Sequence, residues 1–339
     1  MKKLIIILFS CCFTTSIFGQ GLHFSQYYNA PMLINPANTG LIEDYDWRAG
    51  VNYRNQGATI PIPYNTSSVF ADVALLKNKL ETSWIGAGVA VWRDVAGKGD
   101  LALTKFQTNL AYHVLMSEKS SLSAGLYGSY NQRSVDFSKL TFDRQWDEFS
   151  FNTTLPSGET NTTQKTTFLD FGAGMNFAFY NNSNFYLKAS IAAMHINQPL
   201  ETFYGESNKI GLRPQLNVEV IYKASAKIML SPSVYYTRQK RASELVAGTL
   251  ININTSNDIS AKASELIIGT YIRKKDAVIA VAGYKFGNNK FMFSYDHTIS
   301  QLAIGNNGIG AFELSLILQG NYKSANEYTK SYGYGCPRF

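Results

Sequence analysis

The sequence predicts an all-β chain, a transmembrane outer-membrane β-barrel of about 14 antiparallel strands, and three observations carry that prediction. The chain opens with an export signal. It then alternates apolar and polar residues one by one in short runs separated by polar turns. Charged residues are sparse at 16% while aromatic residues reach 14%, a balance that suits strands facing lipid and rings seated at the two membrane interfaces.

The export signal comes first. Lys2 and Lys3 precede the apolar run Leu4 to Phe9, and Gly19 closes a polar stretch in front of Gln20, so residues 1–19 read as a signal peptide and the mature chain begins at Gln20. Leu8-Phe9-Ser10-Cys11 could be read as a lipoprotein acylation box, but it would leave an apolar region of only six residues. Once Cys11 and Cys12 leave with the signal, Cys336 is the one cysteine that remains, and no intrachain disulfide can form. No later run approaches the length of about 18 apolar residues that a spanning helix needs. The net charge of +7 falls by two with Lys2 and Lys3, and no basic run points to nucleic acid.

The wall follows, over residues 47–318. In 212–223, Leu212, Pro214, Leu216, Val218, Val220 and Tyr222 interleave with Arg213, Gln215, Asn217, Glu219, Ile221 and Lys223, two sets that a strand points to opposite faces. Phe106, Thr108, Leu110, Tyr112 and Val114 alternate in the same way with Lys105, Gln107, Asn109 and His113. Read this way, the strands fall at 47–55, 65–76, 83–93, 104–115, 120–131, 166–180, 184–194, 211–223, 227–236, 245–253, 264–274, 276–286, 290–298 and 310–318. Their even number suits a single-chain bacterial barrel. With both termini periplasmic, the turns at 77–82, 116–119, 181–183, 225–226 and 287–289 are short, and those at 56–64, 94–103, 132–165, 195–210 and 299–309 are longer. The turns near 254–263 and 275 break that asymmetry. Pro232 removes a ladder donor inside one strand and leaves its boundaries open. A soluble β-sandwich alternates equally well, but its polar faces should be rich in Lys and Glu, whereas here they carry Ser, Thr, Asn, Gln and Gly. Strands of about ten residues also match a tilted bilayer crossing.

Three segments lie outside the strands and are the natural seats of function. The leader, 20–46, contains His23-Phe24-Ser25-Gln26-Tyr27-Tyr28-Asn29-Ala30-Pro31 and Asn35-Pro36-Ala37-Asn38-Thr39-Gly40; its turn formers and Pro31 forbid a long helix. It reads as a plug-like element that folds back into or beneath the lumen, against the alternative of a flexible periplasmic tail. The loop 132–165 is too long for a simple hairpin: its front, Ser134 to Asp143, suits an extra hairpin, its rear is rich in Thr, Asn and Gly, and Trp146 and Phe149 suit a binding surface and packing within the loop equally well. The segment 319–339, with Tyr322, Tyr328, Tyr332 and Tyr334 and the ending Cys336-Pro337-Arg338-Phe339, is a candidate periplasmic docking tail.

Taken together, the leader motif, Tyr53-Arg54-Asn55-Gln56, Asn131-Gln132-Arg133-Ser134, Leu140-Thr141-Phe142-Asp143 with Leu155-Pro156-Ser157-Gly158, Ala242-Ser243-Glu244-Leu245, Ser294-Tyr295-Asp296 and the Cys336 to Phe339 ending resemble the PorP/SprF outer-membrane proteins of the type IX secretion and gliding machinery. The resemblance spans the mature chain in order, with the leader as its most specific element. Where similar proteins carry an acidic residue and Pro shortly before the Phe-Ser-Gln motif, this chain has Gly21-Leu22. The resemblance implies a non-enzymatic barrel that works with the secretion apparatus, helps a surface adhesin reach or stay on the cell surface, and touches peptidoglycan-linked or OmpA-like periplasmic proteins. With the loop reading, it makes Phe24, Gln26, Tyr27, Tyr28, Asn35, Pro36, Trp146, Cys336, Arg338 and Phe339 the residues expected to plug the lumen or bind partners.

Catalysis finds little support. The mature chain has His23, His113, His195 and His297, and Ser294 and His297 fall on opposite faces of one strand, so no dyad forms there without a bulge. No spacing suits a metal, and no Gly-rich strand-to-helix junction suits a phosphate or other cofactor. The serious rival is a passive pore. Its constriction should carry one sign of charge, whereas the lumenal positions mix Arg48, Arg54, Lys105 and Arg213 with Asp72, Asp170, Glu219 and Glu313. A transporter for a hydrophobic compound would need an apolar lumenal pocket that these polar faces do not provide. The sequence therefore favours a closed anchor whose leader and tail meet periplasmic partners and whose long loop contacts an exported protein.

Overall fold

Successive side chains of a strand point to opposite faces, so a run of alternating residues has one apolar and one polar side, and 14 such runs close into a cylinder here. The computed structural model describes residues 23–322 except 43–44, 58–63, 78–79, 81, 160–164, 182–183, 204–206, 257–263 and 302; the expected signal peptide, Cys336, Arg338 and Phe339 lie outside the described residues. The strands are β1 Trp47–Gln56, β2 Tyr64–Leu75, β3 Ser83–Ala96, β4 Leu101–Ser117, β5 Ser120–Ser134, β6 Lys165–Asn181, β7 Phe185–Met194, β8 Arg213–Lys223, β9 Ile228–Gln239, β10 Ala242–Asn254, β11 Ser264–Arg273, β12 Ala277–Phe286, β13 Asn289–Thr298 and β14 Ile309–Gly320. Each pairs antiparallel with its sequence neighbours, and β1 also pairs with β14, Val51 opposite Leu316, which closes the barrel.

The two faces separate as the alternation requires. Val69, Phe106, Leu110, Leu126, Leu169, Leu216 and Leu316 are exposed on the outside, while Ser68, Gln107, Asn109, Asp170, Asn176, Gln215 and Ser315 are buried within. Continuous exposed rows of Leu, Val and Phe would be a severe liability in water and suit hydrocarbon. A sandwich would bury those rows between its sheets, so the soluble alternative fails on this point.

Two differences from the sequence reading concern the ends of the barrel. The connection expected at 94–103 is a tight turn at 97–100, because β3 and β4 pair all the way to Ala96 and Leu101; Gly97 and Asp100 take positive φ to close it. The front of the long loop forms no extra hairpin. It makes short 3-10 turns at Phe137–Lys139 and Asp143–Gln145, the first capped by the Asp136 carboxylate accepting from Ser138 N at 3.0 Å, a local bond that competes with strand pairing.

Pro232 lies inside β9. The β8–β9 ladder skips Val220 and Ile221, between Glu219 paired with Ser233 and Tyr222 paired with Leu230, which is where the proline has no N–H to give. By the strand order, the connections β1–β2, β5–β6, β7–β8 and β13–β14 lie at one end, the loop-rich end, the last containing a single helical turn, Ala303–Asn306. The opposite end carries the turns 118–119, 224–227 and 287–288 together with the start of β1 and the finish of β14. It is the terminus-bearing end.

Candidate functional site

The leader lies inside the barrel. Its fold follows from local chemistry: Pro31 opens a single helical turn, Pro31–Ile34, and the Asn35 side chain caps the following 3-10 turn Pro36–Asn38 by accepting from Ala37 N at 2.8 Å. Gly40, at φ +68, turns the chain out toward β1. Between these points the segment crosses the lumen from the loop-rich end, where Ser25 sits, to the terminus-bearing end, where Gly40 N donates to Asp72 at 2.8 Å and Trp84 Nε1 donates to the Gly40 carbonyl at 2.9 Å.

At the loop-rich end, wall and leader share a buried charge network. Arg54 Nη1 donates to Glu313 at 2.6 Å and to Asp296 at 3.0 Å, while Arg273 pairs with Asp296 and Glu244 at 3.2 Å each and with Asp276 at 3.0 Å. Buried carboxylates are stabilised by donors beyond the guanidinium groups. The leader adds them: the Ser25 hydroxyl donates to Asp296 at 2.6 Å, and Ser25 N and Gln26 N donate to the two Glu313 oxygens at 2.5 and 2.8 Å. The Gln26 amide goes on to Ser294 at 3.0 Å.

Lower down, aromatic packing takes over. Tyr27 stacks on Tyr235 at 5.2 Å, and its hydroxyl meets Ser233 Oγ at 2.7 Å; Tyr28 stacks on Tyr271 at 5.6 Å. Phe24 packs with Met32, Leu33, Phe70, Trp92 and Ile317. Asn35 Nδ2 then reaches Met175 O, Asn176 Oδ1 and Ile191 O at 3.1, 3.0 and 2.9 Å, tying the leader to β6 and β7. Asn35→Ala removes this donor from buried carbonyls and should loosen the leader by about 1–3 kcal/mol, read as faster hydrogen exchange of the amides between Pro31 and Gly40.

The wall is recessed to receive this backbone. A Cβ on Gly125 would lie 2.5 Å from Ala37 N and from Pro36 C, one on Gly86 would meet the Thr39 carbonyl, and one on Gly174 would meet the Asn35 side chain. Thr39 O also accepts from His113 Nε2 at 2.9 Å, and His113 stacks on Trp84 at 4.6 Å.

The structure thus brings Phe24, Gln26, Tyr27, Tyr28, Asn35 and Pro36 together in the lumen, against the wall. Trp146 is elsewhere, half exposed in the long loop with its ring edge-on to Phe151 at 5.1 Å. Sequence reasoning missed Arg273 and Asp296 as partners of the leader, and it did not single out the lumenal glycines. It did flag Lys105 and Asp170 as opposite lumenal charges. They pair at 3.4 Å, with Tyr127 OH donating to Asp170 at 2.8 Å and His195 Nδ1 3.0 Å from its other oxygen. Ser294 faces the lumen and His297 faces outward, so they form no dyad. Among the described residues no group of His, Cys, Asp or Glu is arranged to hold a metal.

The family model of the type IX secretion system membrane proteins PorP/SprF matches residues 16–318. The chain belongs to that family. No curated protein matches it in sequence. Solved outer-membrane barrels share the fold of this PorP/SprF protein at low identity. The toluene transporter TbuX of Ralstonia pickettii has a TM-score of 0.53 at 11% identity over 87% of this chain and 94% of that one. The Pseudomonas putida toluene transporter TodX gives 0.52 at 9% over 87% and 94%, and a FadL homologue of Pseudomonas aeruginosa 0.50 at 10% over 84% and 92%. This PorP/SprF protein is therefore a secretion-system membrane barrel of known outer-membrane architecture, and neither its family nor its fold is that of an enzyme.

Proposed function

We propose that this PorP/SprF protein is a closed outer-membrane anchor of the type IX secretion apparatus. Its leader is a fixed plug. The long loop carrying Trp146 and Phe149 contacts an exported surface adhesin, and the 319–339 tail, with Cys336, Arg338 and Phe339, docks a peptidoglycan-linked or OmpA-like periplasmic protein. One observation carries the plug: Ser25 to Gly40 bond to lumenal side chains of strands all around the wall, from Asp72 on β2 to Glu313 on β14. The loop assignment is supported by the 88% exposure of Phe149 beside Trp146 and Phe151. The lumenal pairs Arg48–Asp72, Arg54–Glu313, Lys105–Asp170 and Lys188–Glu219 match opposite charges, as suits a rigid wall more than a selective conduit.

The competing reading, a channel, draws on the toluene transporters that share the fold. Planar-bilayer recording of the purified protein separates the two. A closed anchor gives no steady single-channel current, and a large persistent one defeats the reading. In mild detergent the anchor should also co-purify with a periplasmic or surface component of the secretion system.

A further inference from the structure

Beneath the leader, at the terminus-bearing mouth, the lumenal wall becomes basic. Along β13 the inward positions run Asp296, Ser294, Met292 and Lys290 toward that mouth; Ser25, Gln26 and Asn29 of the leader cover the first three, and Lys290 is the next one beyond. Lys290 stands directly opposite Lys285 of β12 in the ladder. Like charges in that relation repel. Lys285 is answered by Glu265 at 2.7 Å, whereas Lys290 makes no ion pair or hydrogen bond among the described residues. The other charges whose fields reach Lys290 are Arg48, Glu219 and Glu265. Each is already matched: Arg48 holds Asp72 through Nε and Nη2 at 3.0 and 2.7 Å, and Lys188 holds Glu219 at 2.8 Å. Among the described residues one lumenal cation at this end of the barrel is left without an ion pair.

We propose that this mouth binds a carboxylate-bearing peptide, an acidic segment of a partner protein, with Lys290 as its ion-pair partner and Lys285 and Arg48 beside it. The inference rests on the anchor reading, which places this end in the periplasm. A peptide suits the geometry because an extended chain enters a tube end-on at about 3.3 Å per residue, whereas a lipid headgroup outside the wall cannot reach a lumenal side chain. The chain's own residues after 322 are poorly matched, since Lys323, Lys330 and Arg338 outnumber Glu327.

The test uses the full-length protein in detergent micelles and a fluorescent octapeptide of alternating Gly and Glu, with its Gly-Gln counterpart as control, followed by anisotropy at low salt. The Glu peptide should bind and the Gln peptide should not. Lys290→Gln should weaken binding about tenfold, the loss of one charge-assisted contact, while Lys290→Arg retains it. Lys119→Gln, which alters an exposed lysine in a turn at the same end, should change nothing. Equal binding of both peptides, an equal loss in Lys119→Gln, or displacement of the Glu peptide by an equal concentration of inorganic phosphate overturns the proposal. A barrel that stays closed to current yet ignores the peptide defeats this inference alone; an open barrel defeats the anchor reading.

Discussion

Leucine in place of Gly125 is expected to drive the leader off the wall and turn a closed barrel into a conducting one. Gly125 faces the lumen on β5, and the atoms a side chain would meet there, Pro36 C, Ala37 N and Ala37 Cα at 2.5 to 2.7 Å, are all backbone. No rotamer change on the leader can clear them. The turn Pro36–Asn38 must therefore leave, and with it the Asn35 bonds to β6 and β7 and the Asn38–Asn176 bond of 3.0 Å. The readout is a steady single-channel current, with protease sensitivity of the leader as a second probe. Gly128→Leu on the outward face of the same strand, where a Cβ finds only Phe171 at 3.4 Å, should assemble and stay closed. A Gly125→Leu barrel that assembles and carries no current would refute the plug.

Arg54→Met should be the most destabilising single change in the lumen. Arg54 is 2% exposed and is held between Asp296 and Glu313; replacing it leaves both carboxylates buried with Arg273 alone to balance them. Removing one member of such a group costs about 3–5 kcal/mol, because the remaining charge stays in place without its partner. The loss should appear as a lower urea midpoint for the folded barrel in vesicles. Adding Glu313→Gln to Arg54→Met should recover a large part of it, since a neutral amide tolerates burial better than an orphaned carboxylate. Breaking the exposed Lys139–Asp100 pair in the loops should leave the midpoint where it was. A double variant no more stable than Arg54→Met would contradict this account of the network.

The wall could be read from the sequence because lipid on one side and a polar lumen on the other impose a strict period of two over long runs. Phe106, Leu110 and Tyr112 lie outside, and Lys105, Gln107, Asn109 and His113 inside, as their alternation requires. The reading faltered where lipid stops acting: around Arg93, Asp94 and Lys98 the strands run on past the apolar belt, and pairing persists without the pattern that announces it. The placement of the leader was hidden for a different reason. Its buried residues include Ser25, Gln26, Asn29, Asn35 and Asn38, which composition cannot distinguish from a solvated tail. The readable signal was on the opposite surface, in the glycines at lumenal positions 86, 125 and 174, because a strand that gives up its side chains on one face is making room for another backbone.

The seam between β1 and β14 joins residues more than 250 positions apart in the chain, so it is the costliest loop to close and the natural last joint of assembly. The leader touches both sides of it, through Arg48 and Asn52 on β1 and Glu313 on β14. A segment bonded to both edges of that seam braces it from within, a key laid across the joint between the first and last staves.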